Sequence, residues 1–203
     1  MIEKVSAFIL RPSASGPEIL IFDHPYTGMQ IPAGTVEVDE TPENAVLREV
    51  REETGLKQLS IVEKVGVDHQ FNSANEAILT QTMRCLGWPA ATAQRIGPLF
   101  TRGMHLQTFE RKVNFTHIRY KETDFNQTPA KTLLEVDGWL PSEFLTREFQ
   151  RHFYVIACEE ETKPSWSYQG DGGLTYFLRW VALEPKPQLS GNQIEWLRYL
   201  GNR

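Results

Sequence analysis

The chain has 203 residues, of which 40% are hydrophobic and 23% are charged, and its formal net charge is −5 at pH 7. This size suits one domain with embellishments and allows a sizeable core. No run of 18 apolar residues and no basic segment before an apolar stretch is present, which argues against a membrane span or a secretory signal. Cys85 and Cys158 are widely spaced, so we expect reduced thiols in a cytoplasmic protein.

Several segments alternate or cluster apolar residues in the manner of strands. In chain order, strands are predicted over Lys4–Leu10, Glu18–Phe22, Leu59–Val67, Glu76–Leu86 and Leu174–Leu183. Arg151–Cys158 fits a strand or a helix, and Val155-Ile156 favours the strand. A helix over Ser190–Leu200 is expected to end the chain. Strands with helices on both sides predict an α/β sandwich around a mixed sheet.

The best-defined element lies between the second and third strands and is a helix from Pro42 to Thr54. Thr41 offers an N-cap hydroxyl, and Pro42 suits the first helical position because it has no amide hydrogen to lose. Gly55 can adopt the left-handed conformation that ends a helix. At 100° per residue, Val46 and Val50 lie on an apolar stripe that requires burial.

This helix also carries an unusual concentration of acid. Glu49, Glu52 and Glu53 fall at i, i+3 and i+4 on one face, where like charges repel. Arg48 can pair with Glu52 at i+4, but one guanidinium does not neutralise three carboxylates. Hard carboxylate oxygens favour Mg²⁺, Mn²⁺ or Ca²⁺ over zinc. The alternative to a metal-binding face is a solvated, salt-bridged surface helix without a bound ion.

The segment from Gly34 to Leu56 resembles the complete signature of the Nudix hydrolases. The matching positions are Gly34, Glu40, Arg48, Glu49, Val50, Glu52, Glu53, Gly55 and Leu56. No position departs from the family pattern, and chance agreement at this many specified positions is remote. The resemblance implies a Nudix-type α/β/α sandwich around a mixed β-sheet and a metal-dependent pyrophosphohydrolase, with Mg²⁺ or Mn²⁺ as cofactor.

The resemblance also implies roles for individual residues. Glu49 and Glu53 would be the principal metal ligands, and Glu52 an additional or water-mediated ligand that Arg48 orients. Glu40 would support the site, and Gly34 and Gly55 would shape the turns at its two ends. The general base would be a glutamate of the helix or a distant one, for which Glu159, Glu160 and Glu161 are candidates. A solvated acidic turn is the alternative for that run.

The region from about 87 to 149 is longer than a compact core of this kind needs. We expect a single Nudix domain over residues 1–203, with a probable insertion at 87–149. Within it, six basic residues stand against the single acid Glu110 between Arg95 and Lys121. Arg111 and Lys112 are therefore candidate phosphate-binding residues, or part of a solubilising surface.

Aromatic residues in or beside predicted loops are candidates for stacking on a base, namely Phe22, Tyr26, Trp166 and Tyr168, although each is also typical of ordinary packing. The expected substrate is a nucleoside diphosphate linked to another moiety. The alternatives are a nucleotide-sensing module without turnover and an RNA 5′-end pyrophosphohydrolase, which an overall pI near 5.6 disfavours. A membrane partner is not expected, and a homodimer is a further possibility.

Overall fold

A computed structural model of the protein describes residues 1–170 and 173–201. The chain forms two compact units. The first, here called the sandwich unit, comprises Lys4–Asp68, Phe125–Pro129 and Arg151–Arg203. The second, here called the β unit, comprises Met1–Glu3, His69–Asp124 and Ala130–Gln150.

Strands dominate the secondary structure. They are β1 (Ile2–Arg11), β2 (Glu18–His24), β3 (Gly28–Gln30), β4 (Ala33–Thr35), β5 (Leu59–Phe71), β6 (Glu76–Leu79), β7 (Met83–Leu86), β8 (Arg95–Phe100), β9 (His105–Lys112), β10 (Phe115–Asp124), β11 (Lys131–Pro141), β12 (Leu145–Thr146), β13 (Glu148–Cys158), β14 (Ser165–Gln169) and β15 (Thr175–Ala182). The α-helices are α1 (Pro42–Thr54) and α2 (Gln193–Trp196), with 3₁₀ turns at Ser142–Phe144 and Leu197–Leu200. No helix in the described part of the chain is long and apolar enough to cross a membrane.

The sheet of the sandwich unit has the strand order β14-β15-β2-β1-β13-β5, with β3 beside β2 and β4 beside β1. Successive residues of β1 belong to different cores, since Ile9 lies in one hydrophobic cluster and Phe8 in another. Val46 and Val50 of α1 join the first cluster, and Trp196 of α2 joins the second. Both faces of the sheet are therefore covered, which explains why its central strands are apolar at consecutive positions. The predicted α/β sandwich is confirmed.

Helix α1 has the predicted bounds and the predicted caps. The Thr41 hydroxyl accepts a hydrogen bond from the Asn44 amide at 3.2 Å, and Pro42 occupies the first helical position. Gly55 has φ +77°, and its amide donates to the Arg51 carbonyl. A side chain at position 55 would also meet the Tyr168 ring at 2.5 Å, so both backbone conformation and space require glycine there.

Two predicted elements differ from the structure. The single strand expected over Glu76–Leu86 is two strands, β6 and β7, which are not neighbours in their sheet. The chain bends between them, where the Thr80 amide donates to the Phe144 carbonyl. The expected final helix is shorter, because α2 has one turn and continues as a 3₁₀ turn to Leu200. Its apolar spacing nevertheless serves the core, since Leu197 and Leu200 are buried.

The β unit is built on a seven-stranded sheet of order β12-β6-β9-β10-β11-β7-β8. Its own core contains the buried side chains Leu79, Cys85, Phe100, Leu106, Ile118, Val136 and Leu140. The predicted insertion at 87–149 falls largely within this unit, which begins earlier, at His69. The interpretation of that segment as an insertion into a single Nudix domain stays a prediction.

We expect the N-cap of α1 to contribute measurably to stability. Thr41→Ala removes the acceptor for the Asn44 amide and should lower the free energy of unfolding by about 1 kcal/mol. Urea denaturation monitored by circular dichroism measures the difference. Thr41→Ser keeps the hydroxyl and should unfold close to the wild-type midpoint; equal losses in both variants would contradict the capping role.

Candidate active site

The candidate active site joins α1 to the short strand β4. Strand β4 pairs antiparallel with β1, with Gly34 opposite Val5. From β4, the Ala33 amide donates to Glu53 Oε2 at 3.0 Å, and the Thr35 amide donates to Glu49 Oε1 at 3.2 Å. Two carboxylates of the helix are thus held by backbone amides of a strand that lies 14 to 20 residues earlier in the chain.

Gly34 lies between these two amides and packs directly on Glu49. A Cβ atom at position 34 would lie 1.9 Å from the carboxylate carbon of Glu49, which is far inside van der Waals contact. The absence of a side chain is therefore what allows the carboxylate to approach β4. The signature glycine has a steric reason in this fold.

Arg48 is the hub of the acidic cluster. Its Nε and Nη2 donate to the two carboxylate oxygens of Glu40 at 3.0 and 2.9 Å, a side-on bidentate pair. Its Nη1 donates to Glu49 Oε1 and to Glu52 Oε2, both at 2.9 Å. Nη2 also donates to the Thr35 carbonyl at 3.0 Å. One guanidinium therefore orients three carboxylates and ties α1 to β4.

These contacts change the proton affinity of the groups that make them. The hydrogen bond from Arg48 lowers the pKa of Glu40, and the Glu40 carboxylate raises the pKa of Arg48. Both groups are therefore ionised at neutral pH. Glu40 is held as a permanent partner of Arg48, which fits the supporting role expected of it.

Glu49 and Glu53 behave differently from Glu40. Burial raises the pKa of Glu49, although Arg48 opposes the shift. Burial, followed by the nearby charge of Glu49, raises the pKa of Glu53 well above its ordinary value. Within the described residues no basic side chain forms an ion pair with Glu53. Two partly desolvated carboxylates that repel each other fit a site for a cation, and their hard oxygens fit Mg²⁺ or Mn²⁺.

Within residues 1–170 and 173–201, no group of three or more Asp, Glu, His or Cys side chains is arranged as a metal site. Arg48 Nη1 contacts both Glu49 and Glu52 at 2.9 Å. Glu52 exposes 32% of its side chain and Glu49 exposes 15%, so Glu52 is the more accessible of the two.

Lys4 is a further charged residue of the site that the sequence analysis did not single out. It lies on β1 opposite Thr35 and is 8% exposed. Burial and the nearby charge of Arg151 lower the pKa of Lys4 to about 7, while the charge of Glu49 acts in the opposite direction. A lysine within the otherwise apolar run of β1 is the signal that would have pointed to it.

The aromatic candidates occupy different environments. Phe22 is 1% exposed and packs on Tyr176 at a centroid distance of 4.9 Å, so its ring belongs to the core and is not available to a base. Trp166 is half-buried, and its Nε1 donates to the Thr54 carbonyl at 3.1 Å, at the end of α1. Tyr26 is half-buried in the turn between β2 and β3, where its ring meets His24 edge-on at 5.8 Å.

The remaining predicted residues are in two places. Arg111 and Lys112 both lie on β9 of the β unit, where Lys112 Nζ forms an ion pair with Glu110 at 3.1 Å. In the sandwich unit, Glu160 accepts hydrogen bonds from the amides of Lys57 and Gln58, just beyond the end of α1. These bonds lower the pKa of Glu160. Glu160 therefore anchors a loop that follows the acidic helix.

The family model of the NUDIX domain matches residues 3–92, which include β1, β4 and the whole of α1. This segment is a NUDIX domain. The reaction class is accordingly the hydrolysis of pyrophosphate bonds.

No protein with a curated function is significantly similar to this chain. Among solved structures, the Ap4A hydrolase of C. elegans is similar to it with a TM-score of 0.45 and 13% sequence identity. The similarity covers 98% of this chain and 93% of the other. A similarity this low supports no inference about the substrate.

The close packing of Gly34 on Glu49 can be tested by adding a side chain at position 34. Gly34→Ala should push the Glu49 carboxylate away from β4 and raise the half-saturating Mg²⁺ concentration for hydrolysis by about tenfold or more, within the range seen for groups that orient metal ligands. Steady-state assays over a Mg²⁺ series measure it. Gly87→Ala is the matched control, because a Cβ there meets its nearest neighbour at an ordinary 3.7 Å. A wild-type Mg²⁺ dependence in Gly34→Ala would contradict the proposed packing.

The raised pKa of Glu53 predicts that the stability of the protein depends on pH when a chelator is present. Between its ordinary pKa of 4.5 and its raised native pKa, the unfolded chain releases a proton that the native state retains. Stability is therefore lost as pH rises through this window. Glu53→Gln removes this ionisable group. In EDTA, the Tm of Glu53→Gln relative to that of wild type should therefore increase from pH 4.5 to pH 8. A difference that is constant with pH would refute this, and Glu63→Gln, an exposed acid on β5, provides the baseline.

Proposed function

We propose that this protein hydrolyses a nucleoside diphosphate linked to another moiety, with Mg²⁺ or Mn²⁺ as cofactor. The observation that carries the proposal is the arrangement of Glu49, Glu52 and Glu53 around Arg48 and the β4 amides. The family supplies the reaction class, and the desolvated carboxylates support the requirement for a divalent cation.

Glu49 and Glu53 would hold the cation, since both are anchored by β4 amides and both have a raised pKa. Glu52 would add a ligand, directly or through water. When bound, the cation supplies neutralisation of the pyrophosphate oxygens and a lowered pKa for an attacking water. Arg48 keeps Glu52 and Glu49 oriented, and Glu40 in turn holds Arg48 by its bidentate contact.

The contacts of Glu160 argue against this residue as the general base. Its Oε1 is engaged by two backbone amides, and its pKa is lowered, so it is a poor proton acceptor. We therefore place the proton-accepting role on a glutamate of α1. Glu52 is favoured because it is more exposed than Glu49, and Arg48 Nη1 orients it through a hydrogen bond to Oε2. Glu159 and Glu161 remain the alternatives on the distant loop.

The substrate side of the site would use the rings near the end of α1 and at the β2–β3 turn. Trp166 and Tyr26 are both half-buried and so keep part of their rings accessible. Phe22 is not included, because it is enclosed in the core. An accessible aromatic face stacks on any base with little selectivity, which suits a nucleotide of unspecified base.

The decisive assay incubates the protein with nucleoside triphosphates, sugar nucleotides, dinucleoside polyphosphates and capped RNA, with Mg²⁺, Mn²⁺ or EDTA. We expect nucleotide products only with a divalent cation. Glu53→Gln should lower kcat by about 100-fold or more, because it removes a charged cation ligand. Glu63→Gln, the same substitution at an exposed position on β5, should retain activity.

Two outcomes would overturn the proposal. One is turnover in EDTA at the rate seen with Mg²⁺, and the other is undiminished kcat in Glu53→Gln. A wild-type protein that binds nucleotides but hydrolyses no substrate of the panel would instead favour the nucleotide-sensing alternative. Near-ultraviolet circular dichroism of each variant establishes that a loss of activity is not a loss of fold.

A further inference from the structure

The β unit contains a cavity of about 960 Å³. Its walls are formed by residues of β7, β8, β9 and β10 and by the turn after β11. This volume lies at the upper end of the range for small-molecule sites. None of the lining residues belongs to β4 or α1, so the cavity is not formed by the carboxylates of the candidate active site.

The cavity is cationic although the whole chain is acidic. Arg84, Arg95 and Arg111 line it against the single acid Glu143, whereas the chain as a whole has a net charge of −5. These arginines come from three different strands, β7, β8 and β9. They are far apart in sequence, so the pairing of the strands is what brings them to one cavity.

The three guanidinium groups of the cavity differ in their hydrogen bonds. Arg84 Nη1 donates to the Gly97 carbonyl at 2.6 Å, which orients its side chain. Arg95 and Arg111 form no ion pair and no side-chain hydrogen bond within the described residues. Arg119 of the same sheet, in contrast, is paired with Asp137 at 2.8 Å. The cavity thus has guanidinium donors that no carboxylate of the described chain occupies.

Part of the remaining wall of the cavity is apolar, and Gln81, Thr82, Asn114 and Ser142 add polar groups. Met83, Leu86, Leu99 and Phe115 line it together with the arginines. Leu99 is 55% exposed and gives the cavity an accessible apolar rim. A ligand that satisfies both kinds of wall has an anionic group at one end and a flat apolar group at the other.

We propose that this cavity binds a nucleotide, with its phosphates on Arg95 and Arg111 and its base against Phe115 and Leu99. Guanidinium groups match phosphate oxygens bidentately, and an aromatic or aliphatic wall accepts a planar base. The site would be a second nucleotide site, distinct in its residues from the carboxylate cluster on α1. It requires no divalent cation, because its positive charge comes from arginine.

The absence of a cation requirement allows this site to be tested separately from hydrolysis. Binding of ADP is measured by isothermal titration calorimetry in EDTA, where metal-dependent turnover is suppressed. Wild type should bind ADP with one saturable site. Glu53→Gln should bind equally well here whatever its effect on hydrolysis, so failure of one proposal does not imply failure of the other.

The double variant Arg95→Gln/Arg111→Gln should raise the Kd for ADP by at least about tenfold, because charge-assisted contacts to phosphate are lost. Arg119→Gln is the matched control, since it removes the same charge from the same sheet outside the cavity. It should keep the wild-type Kd. Leu99→Glu is a second test that does not threaten the core, because it places an acid at an exposed position of the rim, and it should also weaken binding.

Comparison of ligands completes the test. Pyrophosphate should displace ADP, and adenosine alone should bind much more weakly, since it lacks the anionic group. The proposal is overturned if wild type shows no binding of ADP in EDTA, or if the double variant and Leu99→Glu keep the wild-type Kd. It is also overturned if a short single-stranded RNA binds and ADP does not, which would make the cavity part of a nucleic-acid surface.

Discussion

The bond network of Arg48 is the constraint on which the candidate active site depends. A single guanidinium contacts Glu40, Glu49 and Glu52 and also the Thr35 carbonyl. Its single positive charge does not neutralise all three of these carboxylates. These ion pairs are partly buried, so the cost of desolvating the charges offsets much of their attraction. Their value here is orientation, because they present carboxylates of α1 in a defined arrangement.

The second constraint is the approach of β4 to α1. Backbone amides of Ala33 and Thr35 anchor Glu53 and Glu49, and this requires that no side chain intervene at Gly34. Charge-assisted bonds from backbone amides favour the ionised form of a carboxylate, whereas burial opposes it. The raised pKa of both groups indicates that burial outweighs these hydrogen bonds.

The distribution of charge differs between the two units. The sandwich unit holds the carboxylates of α1, and the β unit holds a cavity lined by arginines. Acidic and basic sites have complementary chemistry toward nucleotides, because one requires a bridging cation and the other contacts phosphate directly. The matched NUDIX segment, residues 3–92, includes β4 and α1 but ends before Arg95 and Arg111, so the cavity uses residues that the family model does not cover.

The amino-acid sequence by itself determined the features that depend on neighbours along the chain. The bounds of α1, its Thr41 and Gly55 caps and the clustering of Glu49, Glu52 and Glu53 follow from helical spacing and capping chemistry, and the structure confirms the helix as predicted. The strands next to turn signals were also predictable, although their ends were not, because strand ends depend on the partner strand.

Only the tertiary structure decided the features that depend on distant segments. Pairing of β1 with β4 brings Lys4 toward Glu49, and enclosure by Tyr176 removes Phe22 from the surface. Arg111 and Lys112 have different environments in the β unit. Arg111 lines the cavity, whereas Lys112 forms an ion pair with Glu110. Side chains alternate between the two faces of a strand. Two adjacent basic residues of a strand therefore lie on opposite faces of the sheet.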